Sequence, residues 1–226
     1  MKLGIIGPCD DEINPFLRHL TDATIENHAM LDFHRGKYAT IDIVAVRCGV
    51  CKVNAAIAAQ LLISRYGVTH LIVTGAAGAI CQELAIYDTV IASDIAYHDV
   101  HEGILTEHHP WMETVYFKAD AVLLDTILRA NANDPTVKTG RIVTGEAFID
   151  VDGRDTIIND HAPLCVDMET AAVAHVCYAN GIPFAAIRSI SDTPHESGAE
   201  NMDKYFTQAG EKSVQVLLRY LATCHP

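Results

Sequence analysis

Short apolar runs at residues 2–7, 40–46, 70–74, 88–93, 140–144 and 184–187 are interspersed with segments of helical periodicity. Each run has the length of a buried strand and falls short of a helix. The helical segments carry Ile13, Phe16, Leu17 and Leu20 after the first run, then an alanine-rich stretch near 52–66. Two more lie near 121–130 and roughly 202–223. Strands alternating with helices bury a sheet on both faces and favour parallel neighbours. The expected fold is α/β: one domain over residues 1–226, three layers deep (α/β/α), with a mostly parallel, mixed central sheet.

Composition narrows the partners. Half the residues are hydrophobic and a fifth are charged, which is enough apolar material for a large core. The formal net charge of −13 repels a nucleic-acid backbone or an anionic membrane, so neither is expected as a partner. No apolar run reaches the ~18–20 residues of a membrane span, and the opening Met1-Lys2-Leu3-Gly4 leads into a strand rather than a signal peptide. Seven cysteines, an odd number scattered through apolar segments, suit free thiols in a reducing cytoplasm.

The densest chemistry lies between residues 166 and 192. Met168, Ala171, Ala172, His175 and Val176 recur at helical spacing, so a helix is expected to open near Met168 with Glu169 in its first turn. A negative side chain there is favoured by the helix dipole. Gly181-Ile182-Pro183 stops that helix, a strand follows, and Arg188-Ser189-Ile190-Ser191-Asp192 is its polar exit. Carboxylates at helix starts and strand exits share one edge of a parallel sheet, where open α/β folds keep their sites.

Other segments admit two readings each. Gly7-Pro8-Cys9-Asp10-Asp11-Glu12 follows the first strand, but three consecutive carboxylates would repel phosphate. It is either a carboxylate held over a pocket to activate water or an acidic helix N-terminus. Gly75-Ala76-Ala77-Gly78 is a close approach to a flat ligand or a tight turn. Phe148, after Gly145-Glu146-Ala147, stacks on an aromatic ring or belongs to the core. Cys48 and Cys51 lack the second cysteine pair of a zinc site, and His98, His101, His108 and His109 lie in the irregular stretch 98–117 as ligands, lid or solvated loop.

Taken in order, Gly4-Ile5-Ile6-Gly7 with Glu12, the turn Thr74-Gly75-Ala76-Ala77-Gly78, Gly145-Glu146-Ala147-Phe148-Ile149, Val166-Asp167-Met168-Glu169 and Ser189-Ile190-Ser191-Asp192 resemble the bacterial 5′-methylthioadenosine/S-adenosylhomocysteine nucleosidases of the nucleoside phosphorylase/hydrolase superfamily. The resemblance implies hydrolysis of an N-glycosidic bond with release of adenine, and no metal or organic cofactor. It implies that Asp192 protonates N7 of adenine, Glu12 activates water, and Glu169 holds the ribose hydroxyls. It further places Met168 on the sugar, Phe148 on the adenine face, the Ile149 backbone at the adenine edge, and Gly78 and Ala76 beside the ribose. Ser191 and Arg188 would orient Asp192 and Glu169. A homodimer is implied, with the loop within 98–117 reaching the neighbouring site.

Alternatives remain at this level. A phosphorylase needs cations for phosphate, and Arg47 is the candidate. A nucleoside-binding or storage protein would have shed one of the three carboxylates, yet Glu12, Glu169 and Asp192 are all present. The family usually has Ser where this chain has Ala76, Val-Glu-Met-Glu-Gly where it has residues 166–170, and a Phe where Met202 stands. These departures leave the 5′ substituent open among methylthioadenosine, adenosylhomocysteine, 5′-deoxyadenosine and futalosine-type nucleosides.

Overall fold

The computed structural model describes residues 1–149, 153–193 and 198–224. Strand β1 (Lys2–Gly7) lies parallel between β4 (Ile41–Arg47) and β5 (His70–Ala79). Beyond β4 the sheet continues antiparallel through β3 (Leu31–Tyr38) to β2 (Thr21–His28). On its other side β5 pairs parallel with β10 (Phe184–Asp192) and antiparallel with the short β9 (Cys165–Asp167). From β10 the path runs through β6 (Thr89–Tyr97) and β8 (Val137–Thr144) back to β9. The strands β5, β10, β6, β8 and β9 therefore close on one another as a ring, while β1, β4, β3 and β2 extend from it as an open mixed sheet. A two-residue strand, β7 (Phe117–Lys118), edges β6.

Helices cover both faces. One core joins the sheet to α2 (Lys52–Ser64) and α6 (Thr170–Asn180). Both helices present alanines there (Ala55, Ala58 and Ala59 on one, Ala171, Ala172 and Ala174 on the other), so they pack closely. The opposite core takes Ile13 and Phe16 from α1 (Asp10–Leu17), Leu123 and Ile127 from α4 (Ala121–Ala130), and Val214, Leu217 and Leu221 from α7 (Gly198–Thr223). Each such fully buried side chain contributes about 1.5–3 kcal/mol. Two short helices, α3 (Glu102–Glu107) and α5 (Arg154–His161), lie between strands.

The structure corrects several boundaries. Gly75 to Gly78 is not a turn: β5 runs on to Ala79. Residues 188–192 are not an exit, because β10 continues to Asp192. Helix α6 begins at Thr170, one residue after Glu169, which is its N-cap rather than part of its first turn. Gly181 stops that helix as expected, in the left-handed conformation at φ 65°. The stretch 98–117 is not wholly irregular, since α3 lies inside it and His101 caps that helix by accepting from the Gly103 N–H.

The β2–β3 hairpin has no apolar run to announce it. Its connection is two residues long, Ala29 and Met30, both at positive φ (51° and 63°) between paired His28 and Leu31. That is the twist a tight hairpin demands, normally supplied by Asn-Gly or Asp-Gly.

Candidate active site

The ends of β1, β5, β9 and β10 and the starts of α1 and α6 surround a cavity of about 330 Å³. Glu12, Ala76, Gly78, Phe148, Ile149, Met168, Glu169, Ser191 and Asp192 all line it. Of the residues that the resemblance assigns to the site, only Arg188 stands back from the wall, fully buried behind it. Phe148 is 43 % exposed at the rim, so it is not a core residue.

Glu12 reaches the cavity because Cys9 caps α1 directly after β1, putting Glu12 at the third helical position. It is both an acidic N-terminal residue of a helix and a wall of the pocket, so the two placements expected from the sequence coincide. Its Oε1 accepts from the Ala76 N–H at 2.7 Å and its Oε2 from the Cys9 N–H at 2.8 Å. Arg188 Nη1 lies 3.6 Å away. Burial pushes Glu12 up to about 7, against the downward pull of Arg188 and the Ala76 N–H. Gly75 makes room for this arrangement, since a Cβ there would collide with Glu12 Oε1 and Arg188 Nη1.

Glu169 Oε1 accepts from the Cys51 N–H at 3.0 Å and Oε2 from Arg188 Nη2 at 3.1 Å. Burial raises its pKa, with Arg188 opposing and Asp167 adding to the rise. Arg188 is the charge that holds these groups together. Burial disfavours its cation, but Asp167, Glu169 and Glu12 outweigh that and hold it above its ordinary value.

Ser191 and Asp192 are consecutive, and strand alternation would send them to opposite faces. The register between β10 and β5 shifts between Ile190 and Asp192, and both line the cavity. A bulge beside a site re-aims a side chain in this way. The Ser191 hydroxyl lies 2.9 Å from Asp192 Oδ1, and Gly78 leaves room for the same carboxyl, since a Cβ there would stand 2.7 Å from Oδ2.

Pro8, Cys9, Val50 and Phe206 also line the cavity, although the sequence reading assigns none of them a role in the site. Phe206 supplies an aromatic from α7 one turn beyond Met202, whose side chain lies outside the described residues. The available signal was an aromatic early in an amphipathic helix otherwise led by polar residues. Arg47 does not face the site: it is exposed and paired with Asp10 at 3.0 Å. Cys48 is buried with its thiol on the Gly49 carbonyl, and all seven cysteines are free.

The phosphorylase superfamily model matches residues 2–223. A 5′-methylthioadenosine/S-adenosylhomocysteine nucleosidase of Shewanella frigidimarina is 34 % identical over 98 % of this chain and 99 % of its own length. The S-adenosylhomocysteine nucleosidase of Streptococcus pyogenes, solved with 5-methylthiotubericidin, superposes with a TM-score of 0.92 at 28 % identity, covering 100 % of this chain and 98 % of that one. The 5′-methylthioadenosine/S-adenosylhomocysteine nucleosidase of S. pneumoniae, solved with the transition-state inhibitor MT-ImmA, gives 0.89 at 30 % identity over 98 % of both chains. By model, sequence and fold alike, this chain belongs to the phosphorylase superfamily and, within it, to the family of the 5′-methylthioadenosine/S-adenosylhomocysteine nucleosidases.

Proposed function

We propose that this protein hydrolyses the N-glycosidic bond of 5′-methylthioadenosine, S-adenosylhomocysteine or both, releasing adenine and the 5′-substituted ribose. One observation carries the reading. Four carboxyl residues, Glu12, Asp167, Glu169 and Asp192, line the cavity with Phe148 and Gly78, and no lysine, arginine or histidine lines it among the described residues. Phosphate needs cations to hold it, whereas water needs a base. The names of the relatives and the ligands bound in the two solved structures support the same substrate class.

In this reading Glu12, buried and near neutrality, takes a proton from water as it attacks the anomeric carbon. Asp192 gives a proton to N7, so adenine leaves as a neutral base, and Ser191 fixes its carboxyl. Glu169 accepts from the ribose hydroxyls and is oriented by Arg188. Anionic oxygens around the sugar also favour the positive charge that develops there. Met168 packs on the ribose, with Gly78 and Ala76 beside it. Phe148 stacks on adenine while the Ile149 backbone meets its edge.

The test is adenine release from methylthioadenosine in phosphate-free buffer and again with phosphate added. Release independent of phosphate is expected. Release that requires phosphate would make the protein a phosphorylase and remove the role of Glu12.

The protein is further proposed to work as a single-domain, cytoplasmic homodimer. Val53, Ile57, Ile104, Trp111 and Tyr178 are exposed apolar side chains, supporting a covered face near the loop within 98–117. Free cysteines suit a reducing compartment, and among the described residues no helix is long and apolar enough to cross a membrane. Sedimentation should give twice the 24.6 kDa chain mass, and a monomer at micromolar concentration would refute the dimer.

A further inference from the structure

Five donors converge on Asp167, the buried residue that ends β9. Its Oδ1 accepts from the Thr144 hydroxyl at 2.5 Å and from the N–H groups of Glu169 and Thr170 at 3.3 and 3.2 Å. Its Oδ2 accepts from the Thr170 hydroxyl and meets Arg188 Nε at 2.8 Å. Every partner donates, so the place is built for an acceptor-only carboxylate.

A guanidinium is a rigid planar fork, so holding Nε decides where the other two nitrogens point. With Nε on Asp167, Arg188 directs Nη2 to Glu169 at 3.1 Å and Nη1 to the Ala76 carbonyl at 3.2 Å. Glu12 is left at 3.6 Å, the longest of the three ion pairs. We propose that Asp167 is a positioning residue: it clamps Arg188 through Nε and takes the larger share of its charge, leaving Glu12 the smaller share. The catalytic meaning rests on the reading of Glu12 as the base; the electrostatic claim does not.

The groups that face Glu12 are Arg188 from β10, Glu169 at the start of α6, the N–H and thiol of Cys9 at the start of α1 and the Ala76 N–H from β5. Asp167 acts on Glu12 through the first of these. Replacing Asp167 by asparagine removes a negative charge that offsets the guanidinium, so the net positive field at Glu12 and Glu169 rises and both become more acidic.

The experiment follows the Glu12 carboxyl by ¹³C NMR with labelled glutamate, alongside the pH dependence of kcat/KM for adenine release. For Asp167→Asn the Glu12 midpoint is expected about one pH unit lower, with the acid limb of the rate profile moving the same way. Asp167→Glu keeps the charge and should return both towards the wild-type position. A Glu12 midpoint unmoved in folded Asp167→Asn overturns the proposal, whether or not the enzyme is active. Absence of adenine release from the wild type would instead refute the hydrolase reading, and the NMR midpoint would still decide this one. If Asp167→Asn does not fold, Thr170→Val removes a hydroxyl shared by Asp167 and Arg188 Nε. There the Glu12 midpoint should fall by a smaller amount, and no movement overturns the proposal equally.

Discussion

Glu12→Gln is expected to lower adenine release about 10²–10⁴-fold, the usual loss when a general base is removed. Glutamine fills nearly the same volume but cannot take the proton of the attacking water. Binding depends mainly on other walls of the cavity, so the loss should appear in kcat more than in KM. The wild-type acid limb near neutrality should vanish, because it reports the carboxyl that burial holds at about 7. Release within tenfold of wild type would refute this role.

Stability should respond to the same substitution in a pH-dependent way. Glu12 sits at about 7 in the fold against an ordinary value of 4.5, so the fold prefers it protonated. Its contribution is present below about 4.5 and is lost as the pH rises through about 7, on the order of 3 kcal/mol. Glutamine has no charge to bury and escapes that loss. Against this, one of the two N–H groups now on Glu12 would meet the glutamine amide instead, costing about 1–3 kcal/mol. The Tm difference between variant and wild type should therefore move in favour of the variant between about pH 5 and about pH 8.

Arg188→Met should be the most destabilising change at the site. The guanidinium is fully buried and paired with Asp167, Glu169 and Glu12. Methionine matches part of its length but leaves three buried carboxyl groups facing one another. Removing one partner of a buried ion pair typically costs about 3–5 kcal/mol. For a chain of this size that corresponds to a fall in Tm on the order of 10 °C. Without the cation, Glu12 and Glu169 rise further above their ordinary values, so stability is lost more steeply as the pH climbs. The deficit should be largest above neutrality and smallest near about pH 5, where protonation relieves the repulsion. A Tm at about pH 8 within 2 °C or so of wild type would show that the three carboxylates do not depend on Arg188.

Much of this molecule could be read from residues alone. Buried strands announced themselves as apolar runs because both of their faces are covered, as in β1, β4 and β5. The exposed β2–β3 hairpin did not, because its strands read Thr-Asp-Ala-Thr-Ile-Glu-Asn-His and Leu-Asp-Phe-His-Arg-Gly-Lys-Tyr and its turn is Ala-Met. Local sequence ends β5 and β10 early, at Thr74 and Ile187, because glycine, serine and charge look like exits. Those residues lie inside strands here because Arg188 and Asp192 find buried partners or a pocket wall that local sequence does not reveal.

Local sequence carries the residue types of the site and the order of the elements that hold them. Glu12, Met168, Glu169, Arg188 and Asp192 are legible because each follows a strand, opens a helix or interrupts an apolar run. It takes the packed chain to bring Asp167 and Phe206 beside them, to leave Arg47 outside, and to set one buried guanidinium among three carboxylates. The reason is physical: the charge state of Glu12 is set by desolvation and by neighbours up to 176 positions away in the chain, at Arg188. Burial and through-space charge are properties of the packed fold, not of any local stretch.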